Sequence, residues 1–317
     1  AIRRGPLAAP EDATKVFSVN ETGTGDSPTN VWNIGFATDM NINTKTTGTT
    51  KYLFTRLAGE TSLATNGSNA EGGASGIEVF DSATGTLDLN TGWWSGASNV
   101  ISWSWKRAPS YFDVIAYTGT GSNRTVTHNL GAVPEMMWVK KRSSADDWFV
   151  YVGSLGNTNK LELNSTSASG SAAVGGNQLW NSTTPTSSVF SVSDNVRVNE
   201  SGETYIAYLF ATATGVSKVG SYTGNGSSQT IDCGFSNGAK FIILKKVSGG
   251  GGWAVIDSSR GIVSGNDPVL TLNNTNAEFT GGDDVDPDSS GFIVNHDTNS
   301  FGLNGSGNTY IFYAVAA

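Results

Sequence analysis

One stretch of this chain is written twice. Tyr117-Thr-Gly-Thr-Gly121 returns 105 residues later as Tyr222-Thr-Gly-Asn-Gly226. The same interval carries Lys140-Lys141 onto Lys245-Lys246, Trp148 onto Trp253, and Tyr205-Ile206 onto Tyr310-Ile311. Asn199-Glu-Ser-Gly202 answers Asn304-Gly-Ser-Gly307 at that interval too. Between these fixed ends the register slips and recovers: Leu161 matches Leu270 at 109, and Phe190 matches Phe292 at 102. Insertions that cancel are what loops of unequal length on one scaffold produce. A third, divergent copy precedes the pair. Asn99-Val-Ile101-Ser-Trp103-Ser-Trp105 stands 105 residues before Thr204-Tyr-Ile206-Ala-Tyr208-Leu-Phe210, aromatic answering aromatic. The expected organisation is a linker or N-terminal arm over 1–15, then three units over 16–110, 111–214 and 215–317.

Within each unit the pattern is that of strands. Glu135-Met-Met-Trp138-Val-Lys-Lys141 and Lys240-Phe-Ile-Ile-Leu244-Lys-Lys246 are apolar runs of strand length. Tyr205–Phe210 and Tyr310–Val315 are β-branched and aromatic throughout, which predicts strands buried on both faces or at a contact between units. Turn signals such as Gly224-Asn-Gly226 separate the runs, and no window sustains a 3.6-residue period. Units of roughly 100 residues with many short strands predict an all-β chain of tandem antiparallel β-sandwich repeats, jelly-roll-like in character. Three such units in series predict a rod or a compact cluster, and the short link Thr214-Gly-Val-Ser217 predicts stiff docking of the last two.

Composition narrows the function classes. The net charge is −8 with no basic cluster, which argues against binding a nucleic-acid phosphate backbone. Two histidines and one cysteine leave little for a zinc site or a histidine-centred catalytic apparatus, and the chain reads as non-enzymatic with no cofactor. Glycine, at 40 of 317 residues, is about twice its usual share and suits tight turns. The lone Cys233 permits no internal disulfide, which suits folding in a reducing cytoplasm. No apolar run reaches the ~18 residues of a membrane-spanning helix, so no membrane insertion is expected. The opening residues, with Arg3-Arg4 but no apolar core after them, read as a linker of a longer chain rather than a signal peptide.

Candidate chemistry is sparse. Asp284, Asp286 and Asp288 alternate as in a loop that gathers a hard cation, but the expected glycine and following glutamate are missing. An acidic solvated turn is the preferred reading, and a metal site the weak alternative. Asp146, Asp147, Glu162 and Glu203 could serve a glycan hydrolase only if two of them faced one another across a cleft. His128 has Cys233 as its counterpart, and His296 stands beside Asp297; both histidines read as structural. Trp93-Trp94, on a Gly/Ser loop, is the candidate ligand-binding pair, because exposed indoles stack on sugar faces. Packing between units is the plainer reading of the same pair. Trp138, Trp148 and Trp253 read as core.

Written out in full, the repeat resembles a known family. Tyr117-Thr-Gly-Thr-Gly121, Asn129-Leu-Gly131 through Pro134-Glu-Met-Met-Trp138-Val-Lys140, Asp257-Ser-Ser-Arg260-Gly261, and Asn199-Glu-Ser-Gly202 to Tyr208 are similar to a family of repeated domains of unassigned function. That family occurs in virion structural and tail-fibre proteins of tailed phages, especially those of marine bacteria and cyanobacteria. The likeness covers the second and third units well. In the first it rests on Phe80-Asp-Ser82, Gly85 and Trp103-Ser-Trp105-Lys106. It brings no catalytic residues. It implies a virion component folded in the host cytoplasm, most often a tail fibre or appendage meeting the host. A capsid decoration or head-fibre protein, and a non-viral carbohydrate-binding adhesin, are the alternatives. The implied partners are further copies of the chain (a homotrimer first), other virion proteins and a host surface glycan. The apolar C-terminal strand Tyr310–Val315 supports the oligomer, since a lone terminal strand has no use for two apolar faces.

Overall fold

Alternation along the long apolar strands decides the architecture. In Met136–Lys141 the residues Met136, Trp138 and Lys140 face one way and Met137, Val139 and Lys141 the other, and both rows are buried. Thr204–Phe210 and Thr309–Ala316 are likewise buried on both faces. A sheet made of such strands needs a layer on each side. The structure, a computed structural model, describes residues 8–21, 31–73, 78–80, 83–88, 99–295 and 301–317.

Three antiparallel main sheets share one topology. In each unit the opening strand pairs with the closing strand, which pairs in turn with a central strand. The opening, closing and central strands are Phe17–Glu21, Val100–Trp105 and Met40–Lys45 in the first unit. They are Phe112–Thr118, Thr204–Phe210 and Met136–Lys141 in the second. In the third they are Ser217–Thr223, Thr309–Ala316 and Ala239–Lys246. Shorter strands extend each sheet beyond its centre. A small antiparallel sheet accompanies each: Val31–Asn33, Gly85–Asp88 and Glu78–Val79 in the first unit, Arg124–Thr127 with Val189–Val192 in the second, and Gln229–Asp232, Gly291–Val294 and Val285–Asp288 in the third. In the second unit both sheets feed one apolar core, where Val126, Phe190 and Val192 meet Met137, Val139 and Leu209. The fold is all-β, built of antiparallel sandwich layers.

The other face of every main sheet turns inward to a core shared by the whole chain. Phe17 and Trp105 of the first unit, Trp138 and Phe210 of the second, and Phe241 and Tyr313 of the third all belong to it. Phe241 lies 4.9 Å from Phe17 and 5.4 Å from Trp105, and Phe210 lies 5.0 Å from Tyr313, measured between ring centroids. These are spacings of favourable aromatic pairs.

The three units close into a ring, because each seam repeats the others. Glu71 N–H donates to the Arg142 carbonyl at 2.8 Å, Ser169 N–H to that of Val247 at 3.0 Å, and Glu278 N–H to that of Thr46 at 2.7 Å. These join first to second, second to third, and third to first. Trp148 opposes Lys140 in the sheet register just as Trp253 opposes Lys245. Their indole nitrogens donate across the seams to the carbonyls of Ala64 at 2.8 Å and Glu162 at 2.9 Å. In the first unit Lys51, one residue before the strand Tyr52–Thr55, takes that place and reaches the Asn276 carbonyl at 3.3 Å. The surface that led to an expected trimer is therefore covered within the chain: Tyr313 of the terminal strand is buried in the shared core, and Phe312, on the opposite face, packs on Phe292 of the third unit's small sheet with 5.5 Å between ring centroids.

Candidate functional site

The motif that recurs most clearly is a lock for the scaffold. Asn199 donates to the carbonyls of Ser122 and Ser193, both at 2.7 Å, and accepts from Thr120 N–H at 2.9 Å. Asn304 repeats this with Val294, Ser227 and Asn225. The Tyr205 hydroxyl donates to the Val196 carbonyl and accepts from Glu200 N–H, and Tyr310 does the same with Gly302 and Gly305. Glycine is required beside this lock. A Cβ on Gly119 would stand 2.1 Å from the Glu200 carbonyl oxygen, and one on Gly224 2.3 Å from that of Gly305.

The candidate acids go to separate partners. Asp146 is buried and pairs with Arg197 at 2.6 Å, and Glu162 pairs with Lys160. Asp147 accepts from Asn164, and Glu203 from the hydroxyls of Ser143 and Ser144, which hold its carboxyl below the usual range. The three alternating aspartates also diverge. Asp284 accepts from Phe301 N–H, Asp286 from the Asn295 amide, and Asp288 from the backbone and hydroxyl of Ser290. Among the described residues no three His, Cys, Asp or Glu side chains are grouped so as to hold a metal ion. His128 is buried, with Nδ1 accepting from Leu130 N–H and Nε2 facing the Thr186 carbonyl at 3.2 Å. That pattern fixes a neutral imidazole with its proton on Nε2, and burial lowers its pKa. Cys233 is buried, and burial pushes its thiol up to about 12. Trp93, Trp94, His296 and Asp297 lie outside the described residues.

Two features escaped the sequence reading. Asp267 is buried and accepts from the backbone N–H groups of Val263, Asp284 and Val285; burial raises its pKa to about 7. Lys51, Lys140 and Lys245 are buried along the three seams, each lowered to about 8 by desolvation. The paired lysines were visible in the repeat, but a strand ending in charge reads as a solvated edge until the next unit is placed against it.

The first unit also departs from its sisters on the face of its main sheet that looks away from the shared core. In the second unit the paired positions there are Met137–Leu209 and Val139–Ala207, and in the third Ile242–Ala314 and Leu244–Phe312. All are buried and apolar. The first unit has Asn41 opposite Ser104 and Asn43 opposite Ser102, all four equally buried. The Asn41 amide nitrogen donates to Ser102 Oγ at 2.6 Å and to Ser104 Oγ at 2.8 Å. Its Oδ1 is buried with no hydrogen-bond partner among the described residues. Ser18 and Asn20 continue the polar row on the neighbouring strand, opposite Ser104 and Ser102.

A family model described as "Domain of unknown function (DUF7483)" matches residues 12–317. The chain belongs to that family. The match runs through all three units. No curated protein and no solved structure matches the chain.

Proposed function

We propose that this member of the DUF7483 family is a structural component of a phage virion, acting through contact rather than catalysis, with the host surface as its target. The observation that carries the reading is where the recurring residues go. Asn199 and Asn304, Tyr205 and Tyr310, Trp148 and Trp253 are spent on turns and seams, so what is repeated is rigidity. A protein held this way without a disulfide suits life on a particle outside the cell. Copy-specific residues, among them Trp93 and Trp94, are left to make the contacts. Within this reading a tail fibre or appendage comes first. The closed ring favours a second place, capsid decoration, because a body complete in one chain needs no further copies to bury its aromatic strands. The experiment is immunogold labelling of intact virions with an antibody raised to this chain. Gold on the tail or its appendages supports the first placement and gold over the head the second. Unlabelled virions, with the protein recovered only from the lysate, would remove the virion reading altogether.

A further inference from the structure

The second and third sandwiches are copies, yet they differ along one open side, where the edge strand of the main sheet meets the edge strand of the small one. In the second unit Asp113, Ile115 and Tyr117 alternate along the edge strand Phe112–Thr118, and each position is closed. Asp113 is buried, pairs with Arg107 at 2.6 Å and accepts from Asn129 N–H at 2.7 Å. Ile115, opposite Ala207, packs on the apolar core, and the Arg124 guanidinium lies 6.0 Å over the ring of Tyr117. The third unit has Lys218, Gly220 and Tyr222 at these places, with Gln229 for Arg124. None of the closures recurs. The Lys218 ammonium has no ion-pair partner among the described residues. Gly220 stands opposite Phe312, whose ring comes so near that a Cβ on Gly220 would lie 2.4 Å from it. Gln229 is shorter than arginine, and its amide donates to the Thr223 carbonyl at 3.1 Å and to Asn304 Oδ1 at 2.7 Å. Tyr222 is accordingly half-buried where Tyr117 is buried.

The result is an open groove of about 470 Å³ between the strands Ser217–Thr223 and Gln229–Asp232, within the ~300–1,000 Å³ range of small-molecule sites. Gly220, Tyr222 and Phe312 line it with backbone and aromatic carbon, and Lys218, Gln229 and Asp232 with polar groups. The aromatic lining suits a ligand with a flat face of C–H groups. The one ammonium and one carboxylate cancel in charge, so a charged ligand meets its like as well as its opposite. Hydroxyls serve both, accepting from Lys218 and donating to Asp232 and to Gln229 Oε1. Asp232 Oδ1 accepts from Gly234 N–H at 2.8 Å, which steadies the carboxylate and leaves its second oxygen as an acceptor. A C–H face edged with hydroxyls is the chemistry of a pyranose ring. We propose that this edge groove of the third unit is a binding site for a neutral saccharide, with the sugar face on Tyr222 and its hydroxyls on Lys218, Gln229 and Asp232. The site rests on the host-contact reading for its purpose but not for its chemistry.

The test uses the full chain with methyl α-glucopyranoside, methyl α-mannopyranoside, methyl β-galactopyranoside and an uncharged dextran oligosaccharide as probes. Sialic acid is the charged control, and a capped Thr-Val-Thr-Val-Thr peptide is the control for strand pairing at the free edge. Binding is followed by saturation-transfer NMR and by the shift of the Gly220 backbone amide. At least one neutral probe is expected to bind and to move that amide, with sialic acid and the peptide inert. Transplanting the second unit's opposed pair, Gly220→Ile with Phe312→Ala, fills the groove from the edge strand and should raise Kd at least tenfold. Gln229→Arg, which brings the second unit's cation over Tyr222, should do the same and keeps the comparison if the exchanged pair misfolds. The proposal is overturned if no neutral probe binds, if sialic acid or the peptide binds in their place, or if sugar binding survives either folded variant, which would put the saccharide elsewhere. Virion labelling is independent of this outcome, so failure of one reading does not disguise failure of the other.

Discussion

Lys51, Lys140 and Lys245 give the alkaline side of stability its sign. Each is lowered to about 8 in the fold by desolvation, whereas the unfolded chain keeps the proton to 10.5. Between those values the unfolded state binds more protons, so stability rises with pH through that window. The rise ends near pH 10, where tyrosines ionise in the unfolded chain while burial holds Tyr111, Tyr117 and Tyr208 neutral in the fold. Thermal melts should climb from pH 7.5 to 9.5, and Lys140→Met with Lys245→Met should flatten the climb and gain on the order of 1 kcal/mol each at pH 7.5. The Ser68 and Thr166 carbonyls keep a partner in that variant, from Asp146 and Gly251 N–H. A steeper slope in the variant would refute the assignment. Asp267 acts on the other side. Its folded pKa, about 7, lies above the 3.8 of the unfolded chain, so its contribution is full in acid and disappears as pH rises through 7. Asp267→Asn should therefore lose the part of the pH dependence between 4 and 7 that wild type shows. The residues beside Asp267 in the sequence do not announce this, because two of the three N–H groups it accepts from, those of Asp284 and Val285, are brought to it by folding.

At the level of strands and turns, the repeat made the fold legible. The paired runs ending in Lys140-Lys141 and Lys245-Lys246 are the central strands of their sheets, and Tyr205–Phe210 and Tyr310–Val315, which pair with them, are buried on both faces as read. Among the candidate features, the polar face of the first unit was not legible. Asn41 and Ser104 are 63 residues apart, and their polarity is odd only against the apolar pairs of the sister sheets, which requires the register. The turn lock supplies a sharp test. Gly119→Ala and Gly224→Ala each drive a methyl into a backbone carbonyl with no side chain to yield, and each should cost about 2–3 kcal/mol. Gly202→Ala, where a Cβ meets nothing, carries only the strain of φ 83° and should cost less. Chemical denaturation of the three variants gives the order directly, and equal losses would show that the close approach is not what selects glycine.

The ring makes the three units one thermodynamic body. Trp103 of the first donates to Asp257 of the third at 3.0 Å, and Asp257 is held by Arg260, which also pairs with Glu278. The Arg260 and Asp257 side chains are buried, so Arg260→Met leaves a buried carboxylate without its counter-charge, held only by neutral N–H donors, and should cost about 3–5 kcal/mol. Calorimetry should show a single transition in both proteins, lower in the variant; two separate transitions in wild type would mean that the units melt independently. The seam is distinctive in chemistry as well as in position. Arg142 pairs with Glu71 between the first and second units, while Ser169 meets Val247 between the second and third. On a ribosome this arrangement sets a schedule. The first unit is made first, yet Phe17, Trp103 and Trp105 receive their ring partner Phe241 only when the last third of the chain emerges. Until then an aromatic face waits uncovered, and nascent chains on neighbouring ribosomes offer one another the same missing partner. A fragment ending at residue 214 should accordingly bind a hydrophobic dye and associate, and adding residues 215–317 in trans should reverse both.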